Sequence, residues 1–333
     1  MKYPLSGFIF LGLAIIAVGG IFINGLRPVE YIYNPPIVID INQGESFSEI
    51  SGKIYSAGLI RSKNIFKAYL ILSGAAFKFS AGKYFFDKPV SVFELADILT
   101  SGPKEVSAVI FPGMTLKEID DRLSGLGIIN KGALTDYKNF DKFKKQYLFL
   151  ADAKSLEGFI FPDTYNFHQG SNIDFVIDKI FENFNNKAGG LIFLNKDVNL
   201  LKLLTSASFL EKEVPDYEDM RLVAGIIEKR LKIGMPLQID ATLIYNKCSG
   251  RFLNCEPLKE IDYKTDSLYN TYLYTGLTPT PISNPGLKAI EAVLNKKDSA
   301  YLYYLSNPKN KKTIFSKNLD EHNKNRVKYL INR

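Results

Sequence analysis

The stretch VNLLKLLTSASFLEKEV, residues 198–214, runs into PDYEDMRLVAGIIEKRLKIG, residues 215–234, and these two segments decide the fold of the C-terminal half. Both place apolar side chains at the three-, four- and seven-residue spacing of a helix that buries one face. The spacing predicts helices over 198–214 and 220–233. The second carries Leu222, Val223, Ile226, Ile227 and Leu231, with Arg230, on one stripe. Asp216 and Asp219 stand at its start, where the helix dipole favours acid, and Gly234 ends it.

Downstream, Asn284-Pro285 reads as a helix cap followed by proline at the first helical position, with the helix running to about Leu294. The runs from Ala300 to Leu305 and from Thr313 to Ser316 flank Asn307-Pro308-Lys309-Asn310 and read as a hairpin, and residues 319–331 as a last helix. Upstream, Ile37 to Ile41 alternates as a strand does; residues 46–57, 62–73 and 91–99 have helical spacing, and Ala81-Gly82-Lys83 reads as a turn. Val106 to Phe111 begins another strand, after which Thr115 with Glu118 forms a capping-box pattern. The fold class expected is α+β: a small module over 37–104, a connecting α+β subdomain over 105–154, and a larger, mainly helical domain with short strands over 155–333.

Leu5 to Asn24 contains no charged residue and approaches the length of helix that crosses a bilayer core. A cleaved signal peptide would have a shorter apolar region, and no small-x-small cleavage pattern precedes Arg27-Pro28. The expectation is a cytoplasmic tail over 1–4, a single-pass transmembrane helix over 5–25 and an extended linker over 26–36. The rest of the chain would lie outside the plasma membrane, on the periplasmic or extracytoplasmic side. Lys2 favours that orientation and Arg27 opposes it.

Composition sets the remaining bounds. With 46% hydrophobic and 23% charged residues, the 333-residue chain is globular rather than disordered. The net charge of +7 suits an anionic partner, and an extracytoplasmic position argues against nucleic acid. His168, His322, Cys248 and Cys255 are the only histidines and cysteines, a zinc site made of them would need nearly all four, and no metal or cofactor is expected. The two cysteines read equally as a short disulfide loop or as two thiols.

Within the first quoted helix, counting back from Glu211 gives Ala207, Leu204 and Leu200 on one face. A carboxylate on that apolar stripe should be partly buried, which raises its pKa and suits it to donate a proton. Glu213 lies about 200° round the helix, so the two carboxylates cannot share one site. The plainer reading is a helix-end glutamate paired with Lys212 or Arg230.

The blocks around this helix carry a resemblance. The run from Leu156 to Tyr165, LEGFIFPDTY, looks like the EGxLFPDTY signature of the endolytic murein transglycosylases, the MltG or YceG-like family. Ala207 to Glu213 is similar to its ASIVEKE segment, and Arg230 to Tyr245 resembles its RLxxGMPLQSDPTVxY. Tyr269 to Tyr272, Gly276 to Gly286, and Phe315-Ser316-Lys317 with Glu321-His322-Asn323 match the remaining blocks in order. Ala241 where the family has Pro, Thr280 where Gly is common, and Phe111-Pro112-Gly113 without the usual Glu depart from the pattern.

The resemblance implies a LysM-like character for the module over 37–104 and a lysozyme-like domain over 155–333. The implied reaction is cleavage of the MurNAc-GlcNAc bond of peptidoglycan glycan strands without water, leaving 1,6-anhydroMurNAc ends. Glu211 would be the catalytic acid and base. Glu157, Tyr165, Gln238, Asp240, Thr242, Tyr245, Asn270, Tyr272 and Asn284 are the candidates for substrate contact, each of them equally suited to a structural role. Cell-wall synthases or division proteins are the expected class of protein partner. The rival readings are a non-catalytic peptidoglycan-binding scaffold and a hydrolase acting on the same bond with water.

Overall fold

The computed structural model describes residues 5–30, 37–76, 78–86, 88–139, 141–195, 198–310 and 312–331; for 5–12, 14, 193, 194 and 331 the description is of the backbone alone. The expected tail over 1–4 and most of the linker after Glu30 lie outside the described residues. The chain divides into two compact units, Met1–Val106 with Asn166–Ser171, and Ser107–Tyr165 with Asn172–Arg333.

The first unit begins with α1 (Leu5–Leu26). Among the described residues no helix is long and apolar enough to cross a membrane. Strand β1 (Ile37–Ile41) pairs antiparallel with β2 (Gly82–Phe86), Ile37 opposite Phe86 and Ile41 opposite Gly82. Between them run α2 (Phe47–Ser56) and α3 (Lys63–Ser73), and α4 (Val92–Ser101) follows. Ser46 and Ser91 cap α2 and α4, each answered by a glutamate three residues on, so the exposed N–H groups of the first turn are satisfied locally. Ile39, Ile41, Tyr84 and Phe86 pack on Ile50, Ile54, Phe66, Leu70, Leu95 and Leu99.

Gly82, expected in a turn, instead opens β2. Tyr84 and Phe86 are buried while Lys83 and Phe85 are exposed, a period-two pattern that the turn residues Ala81-Gly82 obscured. Gly82 has φ 142°, and a Cβ there would lie 2.4 Å from the ring of Pro103, so glycine serves close approach rather than a bend.

Strands β3 (Glu105–Val109) and β4 (Thr164–His168) form a second two-stranded sheet. The second unit contains α5 (Leu116–Gly125), α6 (Asp141–Lys144), α7 (Ile173–Phe184), α8 (Gly190–Leu194), α9 (Leu200–Glu213), α10 (Tyr217–Lys232), α11 (Asp240–Lys247), α12 (Leu287–Leu294), the antiparallel pair β5 (Tyr303–Ser306) and β6 (Thr313–Ser316), and α13 (Leu319–Arg326). Thr115 caps α5 with Glu118 in a capping box, as its spacing predicts.

Helix α9 is the axis of this unit. It packs against α10, α11 and α12, and every residue from Leu203 to Leu210 is buried. Between its first turn, where Lys202 is exposed, and its last, where Glu211, Lys212 and Glu213 emerge half-buried, it has no solvent face. Residues 107–154 belong to the same unit as the helices that follow, since the α5 entry is bonded to Glu157 and Asn284. Cys248 and Cys255 form a disulfide, Cα atoms 5.9 Å apart.

Candidate active site

The last turn of α9 sends its two carboxylates in different directions. Glu211 Oε2 accepts a 2.9 Å hydrogen bond from the Gly286 N–H at the start of α12. A Cβ placed on Gly113 would lie 3.4 Å from Glu211 Cγ, and one on Gly286 3.4 Å from Pro112, so Glu211 sits in close backbone packing. Burial raises its pKa, opposed by the Gly286 N–H, Lys212 and Lys288. It stands among main-chain atoms and cations.

Glu213 faces a cleft of about 770 Å³. Burial, and then the negative charge of Asp240, push its pKa up to about 7, against the Ala241 N–H and the Tyr304 hydroxyl that stabilise its anion. A carboxyl with that proton affinity is present in both forms at neutral pH, which suits a group that must first give and then take a proton. The Ala241 donor is supplied by the first turn of α11, whose dipole also favours the anion.

The cleft collects three of the residues named from sequence: Gln238, Asp240 and Tyr272. The Tyr272 hydroxyl donates to Asp240 Oδ1 at 2.6 Å, and the Tyr263 ring meets Tyr272 edge-on at 4.9 Å. The turn that presents Gln238 and Asp240 is pinned from two sides. Arg230, itself buried, donates to the carbonyls of Pro236, Leu237 and Leu302, while the Gln238 and Ile239 N–H groups bond to the backbone and side chain of Thr271. Gln238 takes φ 53°, a left-handed conformation that a side-chain-bearing residue keeps only when its surroundings enforce it. Tyr303, Tyr304, His322 and Arg326 complete the wall. His322 stacks on Tyr303 with 5.2 Å between ring centroids.

The other named residues lie elsewhere. Thr242 is buried and bonded to the Ile239 carbonyl and to Thr271. Asn270 is buried, donating to the carbonyls of Tyr263 and Thr265 and accepting from the N–H of Tyr272. Tyr165 is buried, its hydroxyl donating to the Phe161 carbonyl at 2.6 Å. Asn284, expected to cap a helix, does not; α12 starts at Leu287, and the buried Asn284 carboxamide accepts from Gly158 and Ile160 and donates to Met114 and Glu157. The loop needs those bonds more than the helix needs a cap, because buried N–H and C=O groups without partners are costly.

Glu157 and Tyr245 meet at a second cleft, of about 620 Å³. Glu157 is buried and accepts from the Leu116 N–H, the Asn284 carboxamide and the Tyr245 hydroxyl, the last at 3.0 Å. Burial pushes its pKa up to about 8 in spite of those donors.

Glu213, Tyr263, Tyr303 and Tyr304 were missing from the list read from sequence. A signal existed for the last two, since Ala300-Tyr301-Leu302-Tyr303-Tyr304 is rich in rings of the kind that stack on sugars. Among the described residues no group of His, Cys, Asp and Glu is arranged to hold a metal ion.

The YceG-like family model matches residues 39–328. The chain is 32% identical over 337 residues to the endolytic murein transglycosylase of Bacillus subtilis (strain 168), covering 95% of this chain and 91% of that one. It is 28% identical over 361 residues to the endolytic murein transglycosylase of Streptococcus pneumoniae serotype 2 (strain D39), covering 98% of this chain and 65% of that longer one. A 2.6 Å crystal structure of a yceG-like protein from Listeria monocytogenes superposes with a TM-score of 0.58 at 29% identity, covering 87% of this chain and 98% of that one. With the motif blocks in their order and a match that runs from the first strand to the end of α13, the chain belongs to the YceG-like family.

Proposed function

We propose that this protein is a lytic transglycosylase that cuts peptidoglycan glycan strands, with Glu213 rather than Glu211 as its acid and base. The observation that carries the reading is a carboxyl of pKa about 7, with Asp240 beside it, on the wall of a tyrosine-lined cleft in a chain whose relatives are named endolytic murein transglycosylases.

Glu213 gives its proton to the glycosidic oxygen between MurNAc and GlcNAc as the bond to the MurNAc C1 breaks. The leaving GlcNAc departs with its hydroxyl restored. The Glu213 carboxylate then takes the proton of the MurNAc C6 hydroxyl as O6 bonds to C1, closing the 1,6-anhydro ring and returning the enzyme to its starting protonation. No water enters, so no second carboxylate is needed to activate one, although most glycosidases carry such a pair. Burial and then Asp240 keep Glu213 protonated before the reaction, and Asp240 offers negative charge as positive charge grows at C1. The tyrosine rings supply flat apolar surface for sugar faces and hydroxyls for their edges.

Two further parts of the proposal rest on sequence and local structure. The uncharged run from Leu5 to Asn24, near the length that crosses a bilayer core, is the sequence feature that supports a membrane anchor with the rest of the chain on the extracytoplasmic side. The strand-helix-helix-strand order of β1, α2, α3 and β2 supports a LysM-like glycan-binding module.

Mass spectrometry of the ends produced from uncrosslinked glycan strands tests the reaction class. The expected new ends are one water lighter than reducing ends. Reducing ends would establish the hydrolase reading, and intact strands the scaffold reading.

A further inference from the structure

Glu157 and Tyr245 play no part in the proton transfers, yet Glu157 is a fully fastened carboxyl in the interior of the second unit. Its oxygens accept from the Leu116 N–H at 2.9 and 3.1 Å, from the Asn284 carboxamide at 3.0 Å and from the Tyr245 hydroxyl at 3.0 Å. Leu116 begins α5, Asn284 precedes α12, and Tyr245 belongs to α11, so one side chain joins three elements.

Helix α11 reaches both clefts. Tyr245 lines the one beside Glu157; five residues earlier, about 7.5 Å along the helix axis, Asp240 lines the one that Glu213 faces. The first turn of α11 thus carries two groups that act on Glu213, the Asp240 carboxylate and the Ala241 N–H. A rigid helix transmits a shift at one end to the other, and a small misplacement of groups around a reacting centre is expensive in rate. We propose that the Glu157–Tyr245 bond is a positioning device that sets α11, and through it holds Asp240 and the Ala241 N–H against Glu213. Both are positioning residues, with no contact to the glycan in the reaction. This inference rests on Glu213 as the acid.

Three properties follow. The first is that loss of the bond slows the chemical step while leaving glycan binding intact, because the sugar-facing tyrosines are carried by other segments. The second is that the carboxamide of Glu157→Gln restores the link, accepting from Leu116 through its oxygen and donating to the Tyr245 oxygen through its nitrogen. The third concerns pH. Asp240 on α11, Arg230 on α10, Tyr263 and Tyr272 in the segment between α11 and α12, Tyr303 and Tyr304 on β5, and His322 and Arg326 on α13 share the cleft with Glu213, and of these Asp240 does most to keep it protonated. Withdrawal of α11 moves the basic limb of the rate profile to lower pH.

The test compares Tyr245→Phe, Glu157→Ala, Glu157→Gln and Glu213→Gln in the full chain, using uncrosslinked glycan strands. Tyr245→Phe is expected to lower kcat about tenfold with KM within about twofold of the parent, since a hydrogen bond to a carboxyl is lost but no substrate contact is. Glu157→Ala is expected to lose at least as much, and Glu157→Gln to recover most of it. An unchanged kcat in folded Tyr245→Phe overturns the proposal, and so does a loss confined to KM, which would make Tyr245 a glycan contact. If Glu213→Gln keeps full activity, the reading beneath it fails instead; if Glu213→Gln is inactive and Tyr245→Phe is not impaired, only the positioning role fails.

Discussion

Glu211 and Glu213 stand two residues apart on one helix turn, and their surroundings differ in the charges and the open space that each carboxyl meets. Glu211 is held by the Gly286 N–H, packed close to Gly113 and Gly286, and flanked by Lys212 and Lys288, so its negative form has partners. Glu213 opens onto a cleft with tyrosines and a neighbouring carboxylate, where its proton is held to about pH 7. Burial raises both, and the sign of the nearest charge makes the difference: cations beside Glu211, Asp240 beside Glu213.

Substitutions can break this contrast in turn. The largest expected effect is on the rate itself: Glu213→Gln should lower kcat by about a thousandfold, the scale of a lost general acid, whereas Glu211→Gln should change it by about threefold or less, measured as initial rates on glycan strands. A smaller effect comes from Asp240→Asn, which removes the charge that, after burial, does most to hold the proton on Glu213. The basic limb of kcat/KM should then move roughly one pH unit lower, with the rate at neutral pH falling accordingly.

The smallest is a stability effect. Glu213 has a folded pKa of about 7 above its ordinary value of 4.5, so its contribution is fully present below pH 4.5 and is lost as pH rises through 7. The neutral side chain of Glu213→Gln escapes that loss. Thermal melts should show Glu213→Gln matching the parent near pH 4 and exceeding it by about 2–4 °C at pH 8; equal melting temperatures at both would mean that Glu213 is not held protonated.

The sequence legibly carried the capped helices, whose Ser46, Ser91 and Thr115 with their glutamates are local signals, and the α9–α10 pair, whose apolar spacing is long enough to be unambiguous. It hid β2 behind a glycine that serves close packing. The choice between the carboxylates was illegible for a specific reason. Counting back from Glu211 meets Ala207 and Leu204, but counting back from Glu213 meets Leu210, Phe209 and Ser206, and all of these are buried. A helix enclosed on every side has no single apolar stripe, so periodicity cannot tell which face meets a cleft. Sequence names Gln238 and Asp240 but not their place beside Glu213, because the turn that carries them is held by Thr271 and by Arg230, which also reaches Leu302, contacts that depend on segments distant in the chain.

Motif membership likewise named residues without separating their roles. Gln238, Asp240 and Tyr272 line the cleft, while Thr242, Asn270, Tyr165 and Asn284 satisfy buried backbone groups. The two kinds share the same polar side chains. Only their hydrogen-bond partners distinguish them, and those come from the tertiary fold.

The most direct measurement is the yield of 1,6-anhydro ends from equal amounts of folded Glu211→Gln and Glu213→Gln protein on the same glycan strands, read by mass spectrometry. The predicted result is anhydro ends from the Glu211 variant at close to the parent rate and almost none from the Glu213 variant. Activity that survives in the Glu213 variant and disappears in the Glu211 variant would contradict it, and would return the chemistry to the packed face of the helix.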